Sequence, residues 1–228
     1  MITTNAEARR PRTASREVRR RQLIEATIAC IARHGLSGTT MAQVTGLADL
    51  SMGLVSFHFQ SKENLLQETL IHLAEEHRTR WVQSLADSAL DPAAKLAAVI
   101  DAHFHPSICN EEKIPVWFAF FGETRYRDLY RDKIAQFDGE RTKIVEELCQ
   151  ELAAIGNLVI DPHMVAQNLE SLADGLWLSI MLYPRELNRL AAKQQVASYL
   201  NAVFPRHFDP WPGEWDETEP AQPCGDAI

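Results

Sequence analysis

From Glu17 to His34, apolar side chains recur at intervals of three and four: Val18, Leu23, Ile24, Ile28, Ile31 and Ala32. That rhythm marks one face of an α-helix, and Gly35 follows where such helices end. A second pattern opens at Thr40. Thr40-Met-Ala-Gln43 has the form of a capping box, with a hydroxyl for the third amide and a glutamine reaching back. Met41, Val44, Leu47 and Ala48 supply its buried stripe, which stops at Asp49-Leu50. Ser51 caps a third short helix reaching about Phe57. Ser61 caps a fourth over 62–83, with Lys62 and Glu63 in its first turn and Leu65, Leu66, Leu70 and Leu73 inward.

Helical punctuation continues. Asp91-Pro92 begins a helix that ends near His105-Pro106, and Pro115 begins one rich in aromatics. Residues 126–156 read as one helix, or as two broken near Gly139. Asp161-Pro162 opens a strongly amphipathic helix carrying Val165, Leu169, Leu172, Leu176, Trp177, Ile180 and Met181, and Pro184 stops it. Residues 187–203 form a last helix. Strand alternation is scarce, so the pattern predicts an all-α protein. Its parts are a polar, Arg-rich arm (1–15), a small helical module (16–62), a larger helical body (63–204) and a Pro-rich acidic tail (205–228).

Charge divides along the same boundary. The chain carries −8 overall, yet residues 1–62 hold nine Arg and Lys against four acids, a net +5. The remainder therefore carries −13. A basic module on an acidic body fits a module that meets an anionic partner, although a solvated basic arm would give the same count. No run of 18 apolar residues suggests a membrane span. The Arg-bearing N-terminus lacks the apolar core of a secretory signal. Cys30, Cys109, Cys149 and Cys224 are scattered, which suits free thiols in a reducing cytoplasm.

Residues 40–59 have the dimensions of a helix-turn-helix, whose second helix can enter a DNA major groove. The stretch Ser51-Met-Gly-Leu-Val-Ser-Phe-His58 offers small groups, Gly53 and Ser56, where a helix must approach sugar and phosphate closely. Ser51 brings a hydroxyl, free amides and the positive end of a helix dipole. Lys62 adds full charge at the next helix start, Thr39, Thr40 and Phe57 can flank the backbone, and Leu54 and Phe59 hold the helix from inside. Arg19 and His58 complete the candidate DNA-contacting set. Met52, Val55 and Phe57 carry few hydrogen-bonding groups, so base readout would lean on thymine methyls. The same helix pair could instead serve packing or protein contact.

The order Ser51-x-Gly-x-[apolar], Phe57-His58-Phe59, Ser61-Lys62-Glu63-x-Leu65 resembles the DNA-binding domain of the TetR family of repressors. The likeness covers residues 19–75. Asp49 stands where that family usually has Gly, Gly46 lies inside the second helix, and Thr45 replaces a usual Ala. The body resembles the choline-sensing BetI-type branch. The similar pieces are Arg19-Arg-Arg-Gln-Leu-Ile-Glu-Ala-Thr27, Trp117-Phe-Ala-Phe-Phe121 and Leu172-Ala-Asp-Gly-Leu-Trp-Leu178. The resemblance implies three DNA-binding helices, a dimerising ligand-binding body, double-stranded operator DNA as partner, and release by a small-molecule inducer such as choline. It implies no cofactor.

Within the body, Trp117, Phe120 and Phe121 share a helical face, Glu123 follows, and Asp174 stands one turn before Trp177. Aromatics with carboxylates in an apolar interior suit a quaternary ammonium through cation–π attraction, although aromatic stripes more commonly make core. Leu169, Leu172, Gly175, Leu176 and Ile180, with Tyr199 on the last helix, form the candidate homodimer face. Asp101, His103, His105 and Cys109 have spacings that fail to share one helical face, which argues against a metal. A Gly-rich phosphate loop, G-x-S-x-G and H-E-x-x-H are all missing from the sequence, which argues against an enzyme. A non-sensing helical interaction module, or a regulator of a hydrophobic or anionic ligand, remains the competing reading.

Overall fold

Short side chains at helix starts fix much of the architecture. A computed structural model describes residues 16–87 and 89–208, so the arm, most of the tail, Trp211, Trp215 and Cys224 lie outside the described residues. Among the described residues ten α-helices follow one another: α1 (Arg16–Gly38), α2 (Met41–Ala48), α3 (Met52–Phe59), α4 (Lys62–Ser84), α5 (Pro92–His103), α6 (Lys113–Gly122), α7 (Thr124–Leu129), α8 (Ala135–Gly156), α9 (Pro162–Leu182) and α10 (Arg189–Val203). No strand occurs among the described residues, and no helix is long and apolar enough to cross a membrane.

The caps expected at Thr40, Ser61, Asp91 and Asp161 form, whereas Ser51 precedes α3 without a side-chain cap bond and is corrected in that respect. Thr40 accepts from the Gln43 amide while the Gln43 side chain reaches back to the Thr40 amide at 2.8 Å. Ser61, Asp91, Asp161 and Asn188 each accept from amides in the first turns of α4, α5, α9 and α10. Gly35 breaks α1 with φ 68°, a left-handed value that suits a residue lacking Cβ. Asp49 takes the left-handed position closing α2 at φ 51°, and the Leu50 amide bonds the Thr45 carbonyl at 3.0 Å. Pro115 does not open α6 but lies in its first turn, where a missing N–H costs no intrahelical bond. Asn110 Oδ1 accepts the amides of Glu112 and Lys113 there.

Of the two readings of residues 126–156, the break near Gly139 is corrected. Gly139 lies inside α8, and the irregularity is a π-helical turn at Tyr130–Ile134. Tyr126, Tyr130, Ile134 and Asp138 are four apart, and a 3.6-residue helix would carry that spacing gradually round its axis. The wider turn offsets part of that drift, and Tyr126 and Ile134 are buried while Tyr130 and Asp138 are half-buried.

α1, α2 and α3 enclose a small core of Leu23, Ile24, Ile31, Val44, Val55 and Phe59. α1 also packs on α4 and α6, so the amino-terminal module rests directly on the body. There α4 packs on α5, α5 on α8, α8 on α9 and α9 on α10. Leu47 is exposed at 46%, so the buried side of α2 is carried by Val44 and Thr45. Phe204 is buried and Phe208 packs against the core beyond α10.

Candidate nucleic-acid interface and ligand site

α3 turns two faces in opposite directions. Val55 is fully buried and Phe59 nearly so, while Leu54 is half-buried. Ser51, Met52, Gly53, Ser56 and Phe57 are exposed, Phe57 at 65%. Val55 is therefore corrected from DNA contact to core: it lies one turn before Phe59, on the inner side. Thr39 is corrected too. It is buried, and its hydroxyl donates to the Gly35 carbonyl at 2.8 Å, occupying the group a phosphate would need.

The remaining polar candidates differ in what they leave free. Ser51 makes no side-chain cap bond, so its hydroxyl stays available at the α3 N-terminus. Thr40 is exposed, with its hydroxyl shared with Gln43. The Lys62 ammonium lies 3.4 Å from the Leu36 carbonyl and is half-buried. Arg19 bonds Gln22 at 2.9 Å. His58 is half-buried, edge-on to Phe57 at 5.2 Å between ring centroids. Sequence reasoning missed Arg16, whose guanidinium sits 5.4 Å above the Phe57 ring and brings positive charge to the exposed face of α3. Charge counting had registered Arg16 only as part of a basic segment.

In the body, the structure brings Trp117 within 5.7 Å of Phe121 and 6.5 Å of Trp177, centroid to centroid. Trp117 and Trp177 are buried; Phe121 is exposed and stacks edge-on with Tyr130 at 5.4 Å. Phe120 turns away toward Tyr126, 5.0 Å distant. Leu70, Phe120, Phe121, Tyr126, Arg127, Tyr130 and Arg131 line a cleft of about 270 Å³. Glu123 is corrected: its carboxylate pairs with Arg125 at 3.5 Å and its charge acts on the Tyr126 phenol, not on the Trp117 and Trp177 rings. Residues outside the sequence-derived ligand set complete the region. His77 and His103 contact each other and Trp177, and Arg141 is buried with Glu170 and Asp138 as partners. They come from α4, α5, α8 and α9, so no local spacing could have grouped them.

Electrostatics sharpen the picture. Burial works against a charge on Arg141, but Glu170 and Asp138 outweigh it and raise its pKa. Burial, with the Arg141 charge nearby, holds His77 and His103 well below the usual imidazole range, so both are neutral at pH 7. Asp174 is exposed yet crowded by protein. That crowding raises its pKa to about 6, Glu170 adds to the rise, and Arg141 opposes it. Two carboxylates thus hold the guanidinium directly, and Asp174 lies near enough to feel its charge.

The remaining sequence-level candidates disperse. Asp101 pairs with Lys193, His103 joins the ring cluster, and His105 Nδ1 meets Ser107 Oγ at 2.9 Å. Burial pushes the Cys109 thiol up to about 12. Leu169 and Leu176 are corrected from dimer contacts to subunit core, each 5% exposed. Leu172, Ile180 and Tyr199 are half-buried, and Gly175 is exposed. Sharing α9's outer side with Gly175 are Met164, Leu178 and Leu182, large apolar residues in solvent.

Residues 23–69 match the family described as bacterial regulatory proteins, tetR family, and residues 92–205 match the BetI-type transcriptional repressor, C-terminal family. The chain is a TetR-family transcriptional regulator with a BetI-type C-terminal domain. It is 31% identical over 194 residues to the HTH-type transcriptional regulator BetI of Paraburkholderia phymatum, covering 85% of this regulator and 97% of that protein. A putative transcriptional regulator from Pseudomonas aeruginosa PAO1 superposes with TM-score 0.71 at 25% identity, over 89% of this chain and 98% of that one. A putative transcriptional regulator from Saccharomonospora viridis in complex with choline superposes at 0.67 and 20% identity, over 81% and 96%. Such regulators bind operator DNA, dimerise and bind small molecules. The relatives are regulators of transcription, not enzymes.

Proposed function

We propose that this regulator is a homodimeric repressor released from its operator by a quaternary ammonium of the choline type. The observation that carries the reading is the aromatic set Trp117, Phe121, Tyr130 and Trp177 beside an excess of carboxylate, Asp138, Glu170 and Asp174 around Arg141. Aromatic faces and carboxylates together attract a permanently charged, weakly hydrated cation. The choline complex of the Saccharomonospora viridis protein lends support. DNA contact falls to Ser51, Met52, Gly53, Ser56 and Phe57 with Thr40, Arg16, Arg19, His58 and Lys62 around them. Dimerisation falls to the outer side of α9: Met164, Gly175, Leu178 and Leu182, with the half-buried Leu172, Ile180 and Tyr199 at its border. Two recognition helices must lie about 34 Å apart to read successive major grooves, so a ligand that alters their separation costs affinity.

The test is binding to the DNA upstream of its own gene, with and without choline. Millimolar choline should weaken the complex and raise the melting temperature. An unaltered complex and melting temperature would remove the quaternary ammonium assignment. A second reading has its own support: Arg127 and Arg131 line the apolar cleft, which favours an anionic amphiphile. A carboxylate with an apolar chain would then release the DNA where choline does not.

A further inference from the structure

His77 on α4, His103 on α5 and Trp177 on α9 meet ring to ring. Centroid separations are 4.8 Å between the imidazoles, 5.7 Å from His77 to Trp177 and 4.5 Å from His103 to Trp177. Their exposures are 7, 6 and 4%. His77 Nε2, His103 Nε2 and Trp177 Nε1 have no hydrogen-bond partner among the described residues. Three unpaired ring nitrogens in one buried cluster run against the general rule that buried polar groups are bonded. An apolar core would be served better by phenyl rings at each position.

The chemistry of the three groups narrows what could pair with them. An indole N–H only donates, so the missing partner must accept. A neutral imidazole nitrogen donates or accepts, according to tautomer. Arg141, close enough to act on both imidazoles, is already engaged by Glu170 and Asp138 and is not free to hold an anion. With Asp174 nearby, a ligand carboxylate or phosphate would meet net negative charge. A hydroxyl carries no charge, accepts from Trp177 and donates to an imidazole. The cluster is joined to the outer cleft by the rings of Trp117 and Phe121.

We infer that His77, His103 and Trp177 form a subsite for the hydroxyl of the ligand, so that the regulator selects an alcohol-bearing cation over its alkyl or carboxylate analogues. The inference rests on the cationic-ligand reading above and adds the second recognition element. A site built to bond a hydroxyl rejects the analogue lacking it, because its own polar groups are then left unpaired.

Calorimetric titration of the full chain with choline, propyltrimethylammonium and glycine betaine tests it. Choline and propyltrimethylammonium share size and charge and differ by hydroxyl against methyl. The wild-type protein should prefer choline by about tenfold over the alkyl analogue, the scale of one or two hydrogen bonds, and should bind glycine betaine more weakly still. Trp177→Phe and His103→Phe should bring the choline-to-alkyl ratio near one, while His103→Gln, which keeps a donor and an acceptor, should retain part of it. Thermal melts check that each variant folds, and the wild-type series decides even where one does not. Equal binding of choline and propyltrimethylammonium by the wild type would overturn the subsite and leave the cationic reading standing. An undiminished preference in both Phe variants would also overturn it. Failure of both cations to bind would remove the subsite and the cationic reading together.

Discussion

The Tyr126 phenol donates to Glu63 Oε2 at 3.2 Å. The contact joins two places that the chain separates by 63 residues. Tyr126 lines the 270 Å³ cleft and touches Phe120, whereas Glu63 sits in the first turn of α4, directly after the recognition helix. Arg125, the residue before Tyr126, reaches the same Glu63 carboxylate at 3.8 Å. Burial, reinforced by Glu63, raises the phenol to about 12, so it remains a donor across the working range of pH.

Tyr126→Phe should therefore leave DNA affinity within about twofold while reducing the inducer's effect on it. Coupling between sites commonly amounts to 5- to 150-fold, and loss of this contact should remove about three- to tenfold. Fluorescence anisotropy with labelled operator, with and without choline, measures both quantities. Equal loss of DNA binding and of response would assign Tyr126 to folding instead.

Arg141 is the most deeply buried charge described, with a side chain 7% exposed and held by Glu170 and Asp138. Breaking a buried pair by removing one partner costs about 3–5 kcal/mol. Glu170→Gln should show a loss of that size in urea denaturation. Replacing Arg141 and Glu170 together by Met and Leu should cost less than the single change, because no buried charge is then stranded.

pH dependence has two components of opposite sign. Asp174 has a folded pKa of about 6, above its ordinary value of 3.8, so its contribution to stability is lost as pH rises between them. Asp174→Asn should therefore be more stable than wild type at pH 7 and no better at pH 3. His77 and His103 have folded values below the ordinary 6.5, so the unfolded chain takes up protons first and stability falls as pH drops below 6.5. His77→Phe should flatten that acid limb in urea titrations at stepped pH. For a cationic inducer, binding should strengthen from pH 5 to 7 as Asp174 ionises.

Val55 and Phe57 separate stability from DNA binding within one short helix. Val55→Ala should lower the unfolding free energy by about 2 kcal/mol, since it removes buried methyl groups. Phe57→Ala should change stability by less than about 0.5 kcal/mol and weaken operator binding. Lys62→Ala should weaken binding to all sequences alike and flatten its dependence on salt by about one unit of slope. An unchanged slope would assign the Lys62 ammonium to its Leu36 contact alone.

On α9, Leu182→Glu should shift the protein toward monomer in sedimentation and abolish operator binding in step, because Leu182 is exposed at 55%. Leu176→Ala should instead cost about 2–5 kcal/mol of stability, since that residue is buried within its own subunit.

What the amino-acid order determined was local. Caps at Thr40, Ser61, Asp91 and Asp161 and the turn at Asp49 involve groups within a few residues of one another, so their hydrogen bonds can be read directly from the chain. The all-α class and the short helix beginning at Ser51 follow from the same short-range chemistry. Faces were harder. In α3 the choice between Val55 and Leu54 as the inner residue depended on where α1 and α4 lay, and in α9 two apolar sides competed for one core. Only tertiary packing decided that Leu169 and Leu176 turn inward while Leu178 and Leu182 remain outside. The cluster of His77, His103, Arg141 and Trp177 is the clearest case. Its members come from four helices, and the burial that makes the histidines neutral and leaves three ring nitrogens unpaired exists only once those helices have closed together.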